Sequence, residues 1–138
     1  MRALKSQLIC SLLVLQAGMA GMAGLAAASD IIVIAHSGTE VSEAEVKDIF
    51  LGEKRRASGL RLQPVDNGSL QSAFSERVLR MQNDRYAIYW TKKTFRDGVN
   101  SPPLKGSDSE VISWVKATPG GIGYVSAAPA DVKTVGRY

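Results

Sequence analysis

Cysteine is almost missing from this chain. The single one, Cys10, falls in the first ten residues. From Ser29 onward there is no thiol to form a disulfide or a thiolate zinc site, so the fold must hold by packing alone. Histidine is equally scarce. His36 stands alone, with no second metal ligand nearby and no nucleophile in a recognisable setting. It reads as a polar loop residue rather than a catalytic base. Walker, dinucleotide-binding, zinc and nucleophile-elbow motifs are absent from the sequence. Asp30, Glu43, Glu45 and Asp48 show no pairing suited to acid–base work. The chain is therefore expected not to be an enzyme and to need no cofactor or metal.

A strong excess of one charge is also lacking. The 17 Lys and Arg face 13 Asp and Glu, a net +4, and two of the basic residues, Arg2 and Lys5, precede the fold, which lowers the balance to +2. That is too little to argue for nucleic acid or a membrane surface. No apolar run is long enough for a convincing membrane span. Leu8 to Leu15 is apolar apart from Ser11, and Gly, Ala and Met continue to Ala28. With Arg2 and Lys5 ahead of it and Ala26-Ala27-Ala28 fitting a small-x-small cleavage site, residues 1–28 read as a signal peptide. The alternative, a membrane anchor, asks for roughly 20 strongly apolar residues. The expectation is one exported, periplasmic domain over residues 29–138.

What is present is an alternation of strand-like and helix-like segments. Ile31–Ala35 is a continuous β-branched run suited to a strand buried on both faces. After the turn His36–Thr39, Ser42 and Glu45 form a capping box, and Val46, Ile49 and Phe50 share one helix face until Gly52 ends it. Glu53 to Gly59 reads as a loop whose run Lys54-Arg55-Arg56 is either a solvated surface or the lining of an anion or partner site. Leu60–Val65 alternates as a short strand, and Asp66-Asn67-Gly68-Ser69 is a turn. Leu70, Phe74, Val78 and Met81 recur at helical spacing. Asn83 is placed to cap a third helix that carries Tyr86, Tyr89, Trp90 and Phe95, and the near-helical spacing of the first three gives them core and helix-packing roles. Pro102-Pro103 forbids helix there. Ser107 and Glu110 open a last helix, Pro119-Gly120-Gly121 stops it, and strands follow at Ile122–Val125 and near Val132–Val135. This order predicts an α/β fold with a small, mostly parallel sheet flanked by helices.

In such sheets ligands sit beyond the carboxyl ends of strands, at helix N-termini where free amides and the helix dipole favour anions. Two loops qualify by order. Ser37 and Thr39 follow the first strand; Asn67, Gly68, Ser69 and Ser72 follow the second. Gly68 permits close approach of backbone, Gly68 and Ser69 are expected to offer amide donors, and the serines add hydroxyl donors. Plain helix capping explains the same residue types.

Two motifs set this pattern in a wider frame. Asp48-Ile49-Phe50-Leu51-Gly52 and Thr118-Pro119-Gly120-Gly121-Ile122-Gly123-Tyr124-Val125, in this order and spacing, resemble the second lobe of the phosphate-binding proteins that serve ABC transporters. The resemblance extends from about Ile31 to Ala128. It implies a single lobe of the type II periplasmic-binding-protein fold, with phosphate or a similar oxyanion as ligand and an ABC permease or other envelope protein as partner. The resemblance is incomplete at the gripping loop. Where the family has an Arg, Val65 and Asp66 stand, and the preceding loop has Ala57 near the place of a Trp. Losing a bidentate Arg is expected to weaken anion binding by about 1.5–3 kcal/mol. The first lobe has no counterpart, so a second copy in a homodimer or another protein would have to supply the opposite wall. The alternative is a fold that has kept its shape and lost its ligand, acting as an envelope interaction or sensor-partner module.

Overall fold

The computed structural model describes residues 30–138; the expected signal peptide lies outside them. The run at Ile31 becomes β1 (Ile32–Ala35), an inner strand of a four-stranded sheet whose order is β4-β7-β1-β8, with β4 at Gln63–Pro64, β7 at Gly121–Val125 and β8 at Lys133–Arg137. Strand periodicity explains the unbroken apolar run. Ile31, Val33 and Ala35 point into one core, and Ile32 and Ile34 into another on the opposite face.

The larger core lies under α1 (Val46–Phe50), α2 (Gln71–Phe74) and α3 (Asn83–Asp97). A 3-10 turn at Glu43–Glu45 leads into α1, where the Ser42 amide donates to Glu45 at 3.3 Å as the capping box predicts. α2 continues as a π-helical turn, Ser75–Leu79, stopped by Arg80 in the left-handed region. At the centre Phe74 stacks on Tyr124 with ring centroids 3.8 Å apart, and Phe50 meets both rings edge-on. The Asp48–Gly52 motif docks on α3. Trp90 Nε1 donates to the Phe50 carbonyl at 3.2 Å and the Tyr89 hydroxyl to the Leu51 carbonyl at 2.5 Å, which satisfies acceptors left open at the end of α1.

The smaller core is sealed by α4 (Asp108–Ala117), whose Val111 and Val115 pack over Val65 and Val125. Ser107 caps it by accepting from the Glu110 amide at 3.4 Å, and Glu110 in turn accepts from the Gly106 amide. A side chain at Gly123 would meet Val111 Cγ1 at 2.6 Å, so the glycine lets α4 lie directly on the sheet.

Three expectations need correction. The sheet is mixed, because β1 runs antiparallel to both β7 and β8, and only β4 and β7 are parallel. A buried apolar run does not encode strand direction; here the chain turns back between α1 and β4. The expected loop at Glu53–Gly59 holds half of a hairpin, β2 (Arg56–Ala57) with β3 (Leu60–Arg61), and the strand predicted over Leu60–Val65 is split between β3 and β4. Asn83 does not cap α3: Gln82 takes the extended cap conformation, and the Asn83 side chain accepts from the Ser75 hydroxyl at 3.2 Å instead; farther along, Phe95 is 91% exposed, because α3 turns Tyr86, Trp90 and Lys93 inward. A further short pair, β5 (Asp66–Asn67) with β6 (Leu104–Lys105), holds the loop after β4. Finally, Ile31 and Tyr138 exchange backbone hydrogen bonds at 3.1 and 2.9 Å beside β8. Among the described residues no helix is long and apolar enough to cross a membrane.

Candidate functional site

The mixed sheet separates the two loops that sequence order had placed together. Ile32 of β1 lies opposite Val125, and Ala35 opposite Ile122. The turn that follows β1 is therefore at the Gly121 end of β7. The loop after β4 is at the other end, where Asn67 reaches the Tyr124 carbonyl. Three residues of extended strand, about 10 Å, lie between the two levels before the turns themselves are counted. Ser37 and Thr39 accordingly do not join Asn67, Gly68, Ser69 and Ser72. Thr39 has a structural task instead. It is buried, and its hydroxyl oxygen accepts from the Gly120 amide at 3.0 Å. Ser37 is exposed in the turn.

At the other end the loop is built around Asn67, which is fully buried. Its Nδ2 donates to Asp108 Oδ1 at 2.7 Å and to the Tyr124 carbonyl at 3.0 Å. Its Oδ1 accepts from the Ser69 amide at 3.0 Å and the Ser69 hydroxyl at 2.6 Å. Two donors and two lone pairs are all that an Asn side chain has. Asn67 thus shapes the loop and has no capacity left for a ligand. The Gly68 amide donates to the Lys105 carbonyl at 2.7 Å. The backbone donors expected from Gly68 and Ser69 are both engaged inside the protein. Asp108 anchors this end by also accepting from the Ser126 amide and hydroxyl at 2.9 and 2.5 Å. Burial opposes its charge, but the Ser126 and Asn67 donors outweigh it and hold the carboxyl below its ordinary range.

What stays open is the first turn of α2. Its N-cap, Leu70, has no side chain that can cap. The leading amides of a helix have no intrahelical acceptor. Ser69 and Ser72 are exposed beside them. The Ser69 hydroxyl can rotate away without orphaning Asn67 Oδ1, because the Ser69 amide still serves that oxygen.

Behind the turn is Asp66, which the sequence marks only as standing where the family has an Arg, with no sign of the buried network it joins. Asp66 is 2% exposed and accepts from the hydroxyls of Tyr86 and Tyr124, both at 2.9 Å. Burial pushes its carboxyl up to about 6, while Tyr124, Tyr86 and Gln71 pull it back down. Burial and the nearby Asp66 charge raise both phenols. A cleft of about 550 Å³ opens here, with Asp66, Gln71, Asn83 and Tyr86 among its walls and the exposed side chains of Phe95 and Leu104 at its edge. The three partners are 20 and 58 residues apart in sequence, so no local pattern announces them.

The raised Asp66 carboxyl has a measurable consequence. A carboxyl whose pKa is higher in the folded than in the unfolded chain stabilises the fold at low pH and loses that contribution as pH rises. Between pH 4 and about 6.5 the protein is expected to lose about 2–3 kcal/mol relative to Asp66→Asn. Urea melts of both proteins across this window check it; parallel pH profiles would overturn it. Below pH 4 the lowered carboxyls Asp97, Asp108 and Asp131 reverse the trend as they protonate.

With the geometry in place, comparison with known proteins shows a fold like that of one part of a phosphate transport receptor. The structure of PstS from Borrelia burgdorferi superposes with a TM-score of 0.50 at 15% identity, covering 70% of this chain and 41% of that one. An ABC-type phosphate transport receptor from Vibrio cholerae matches with a TM-score of 0.48 at 12% identity, over 78% of this chain and 46% of that one. The chain thus spans less than half the length of either structure. No protein-family model matches the sequence, and a search of curated proteins finds no match. Among the described residues no cluster of three or more His, Cys, Asp or Glu side chains is placed to hold a metal ion.

Proposed function

We propose that this chain is an exported, single-lobe module that binds phosphate or a similar oxyanion weakly in the periplasm and works beside an ABC permease. The observation that carries this reading is the uncapped first turn of α2, flanked by Ser69 and Ser72, on a lobe with the PstS-like fold. The amides of Gln71, Ser72 and Ala73 and the hydroxyls of Ser69 and Ser72 receive the anion. Asn67 and Gly68 set the shape of the turn rather than touch the ligand. Ser37 and Thr39 take no part. No bond is made or broken in such a role, so the module is not an enzyme. A second copy, or a partner protein, closes the open side of the site.

Asp66 makes the reading testable by pH. Its charge, adjacent to the turn, repels an anion when ionised, so affinity should rise as pH falls through about 6. Sulfate is the suitable probe because its own charge does not change in this range. Calorimetric titration is expected to give a millimolar Kd that tightens by about threefold to tenfold from pH 7.5 to pH 5. Asp66→Asn should be tight at both values. Ser69→Ala with Ser72→Ala should weaken sulfate by more than about tenfold, since each lost hydrogen bond to a charged group contributes about 1.5–3 kcal/mol. No heat at about 20 mM sulfate or phosphate, roughly twentyfold above a Kd of about 1 mM, would overturn the ligand reading.

The engaged amides of Gly68 and Ser69 favour a second reading, in which the fold has lost its anion and serves as an interaction module of the envelope. That reading predicts a partner whose binding is indifferent to phosphate.

A further inference from the structure

The β2–β3 hairpin presents cationic charge against its own stability. Arg56 and Arg61 are register partners directly across the two strands, and both are exposed. Like charges placed opposite each other destabilise a strand pair. The turn that joins them, Ser58-Gly59, has φ of 50° and 83°. Two left-handed residues give the tight turn that matches strand twist, and Ser is a poor choice for the first of them. The Leu62 amide donates to the Arg55 carbonyl at 2.9 Å and extends the hairpin by one rung. The hairpin is thus rigid, strained at its tip and electrostatically self-repelling.

The charge is not balanced within the chain. Lys54 pairs with Glu45 at 3.6 Å, but Arg55, Arg56 and Arg61 have no ion pair among the described residues. The nearest acidic residue in sequence, Glu53, is held by Lys93 and the Tyr89 hydroxyl. Arg55 and Arg61 line a groove of about 330 Å³ between the hairpin and the 99–103 segment. Its remaining walls include the apolar faces of Leu62, Pro64, Pro103 and Trp114.

We propose that this groove receives an extended acidic segment of a partner polypeptide. Its carboxylates meet Arg55 and Arg61, and its apolar side chains lie on Trp114 and the prolines. The chemistry selects among occupants. A free oxyanion would satisfy the arginines and leave the apolar walls wet. A bilayer is flat and would touch the rim of a recessed groove. An alternating acidic and apolar strand satisfies both the charge and the surface, and guanidinium forks suit carboxylates. This site is separate from the turn before α2, and the inference does not depend on oxyanion binding there.

The test uses residues 29–138 and a fluorescently labelled hexapeptide that alternates Glu and Leu, read by anisotropy. Binding is expected in the micromolar range, weakening severalfold between about 50 and 500 mM NaCl as exposed charges are screened. Arg55→Glu with Arg61→Glu should weaken it more than tenfold. A control of equal net charge, Lys92→Glu with Arg137→Glu, uses exposed residues outside the groove and should leave it within about twofold. Arg55→Gln with Arg61→Gln guards against misfolding. It relieves the Arg56–Arg61 opposition, so it should keep or raise the thermal midpoint while still weakening the peptide. The proposal is overturned if the peptide does not bind or if the control loses as much as the groove variant. It is also overturned if inorganic phosphate displaces the peptide better than chloride at equal ionic strength. Arg55- and Arg61-dependent binding to phosphatidylglycerol vesicles without peptide binding overturns it as well.

Discussion

Replacing Gly120 by Ala is expected to lower stability by about 2–5 kcal/mol, a large fraction of the roughly 5–15 kcal/mol that keeps a domain folded. Two terms combine. Gly120 has φ +84°, a conformation that costs an L-residue about 1–2 kcal/mol. A β-carbon there would also be 2.1 Å from the Arg61 carbonyl oxygen, inside any tolerable contact. Backbone has no rotamer to move away, so the overlap adds about 1–3 kcal/mol. The same turn is tied to the β1 end of the sheet by the Gly120 amide on Thr39, and the Gln63 amide donates to the Gly120 carbonyl at 2.8 Å. Any shift that relieves the clash loosens both. Gly59→Ala separates the terms: its φ is +83°, but nothing lies within 4 Å of the added carbon. It should cost only about 1–2 kcal/mol. Urea denaturation of the two variants checks the difference, and equal losses would show that the Arg61 contact is relieved without penalty.

Phe74→Ala carries the second large effect, about 3–5 kcal/mol. The ring is fully buried, stacked on Tyr124 and edge-on to Phe50, so truncation leaves a cavity that its aromatic neighbours are too rigid to fill. Tyr124 is held in place by that stack and donates to Asp66. Loosening Tyr124 removes a donor that holds the Asp66 carboxyl down, so the variant should also deepen the stability loss as pH rises from about 4 through about 6.5. Phe95→Ala is the comparison, since an exposed ring contributes little to folding and should change stability by less than about 0.5 kcal/mol. A Phe74→Ala protein that keeps the wild-type pH profile would disconnect the aromatic stack from the buried carboxyl.

Local signals were read well where a local physical cause governed them. The run at Ile31, the Ser107–Glu110 box and the left-handed Gly52 each depend on neighbours within four residues. Direction of pairing is different. Ile32 meets Val125 and Arg137 through contacts that close long loops, and nothing in a β-branched run says which way its partner points. The error passed directly to the candidate site, because parallel strands would have put Ser37 and Thr39 on the same edge as Ser69. The Arg56–Arg61 hairpin was hidden for another reason: two-residue strands show no periodicity, and a run of basic residues looks like solvent-exposed loop. Residue type alone presents Asn67 as a ligand contact. Its four side-chain hydrogen bonds reach three residues, on β7, α4 and the turn itself, a satisfaction that only coordinates reveal.

The Ile31–Tyr138 exchange makes the folded unit nearly circular. Its first and last rungs are neighbours, so joining them would ask for a linker of only a few residues, and a new opening could be cut at an exposed bend such as Ser58-Gly59. The same adjacency means that the unit can be seated within a surface loop of another protein, its entry and exit side by side, with little displacement of the host.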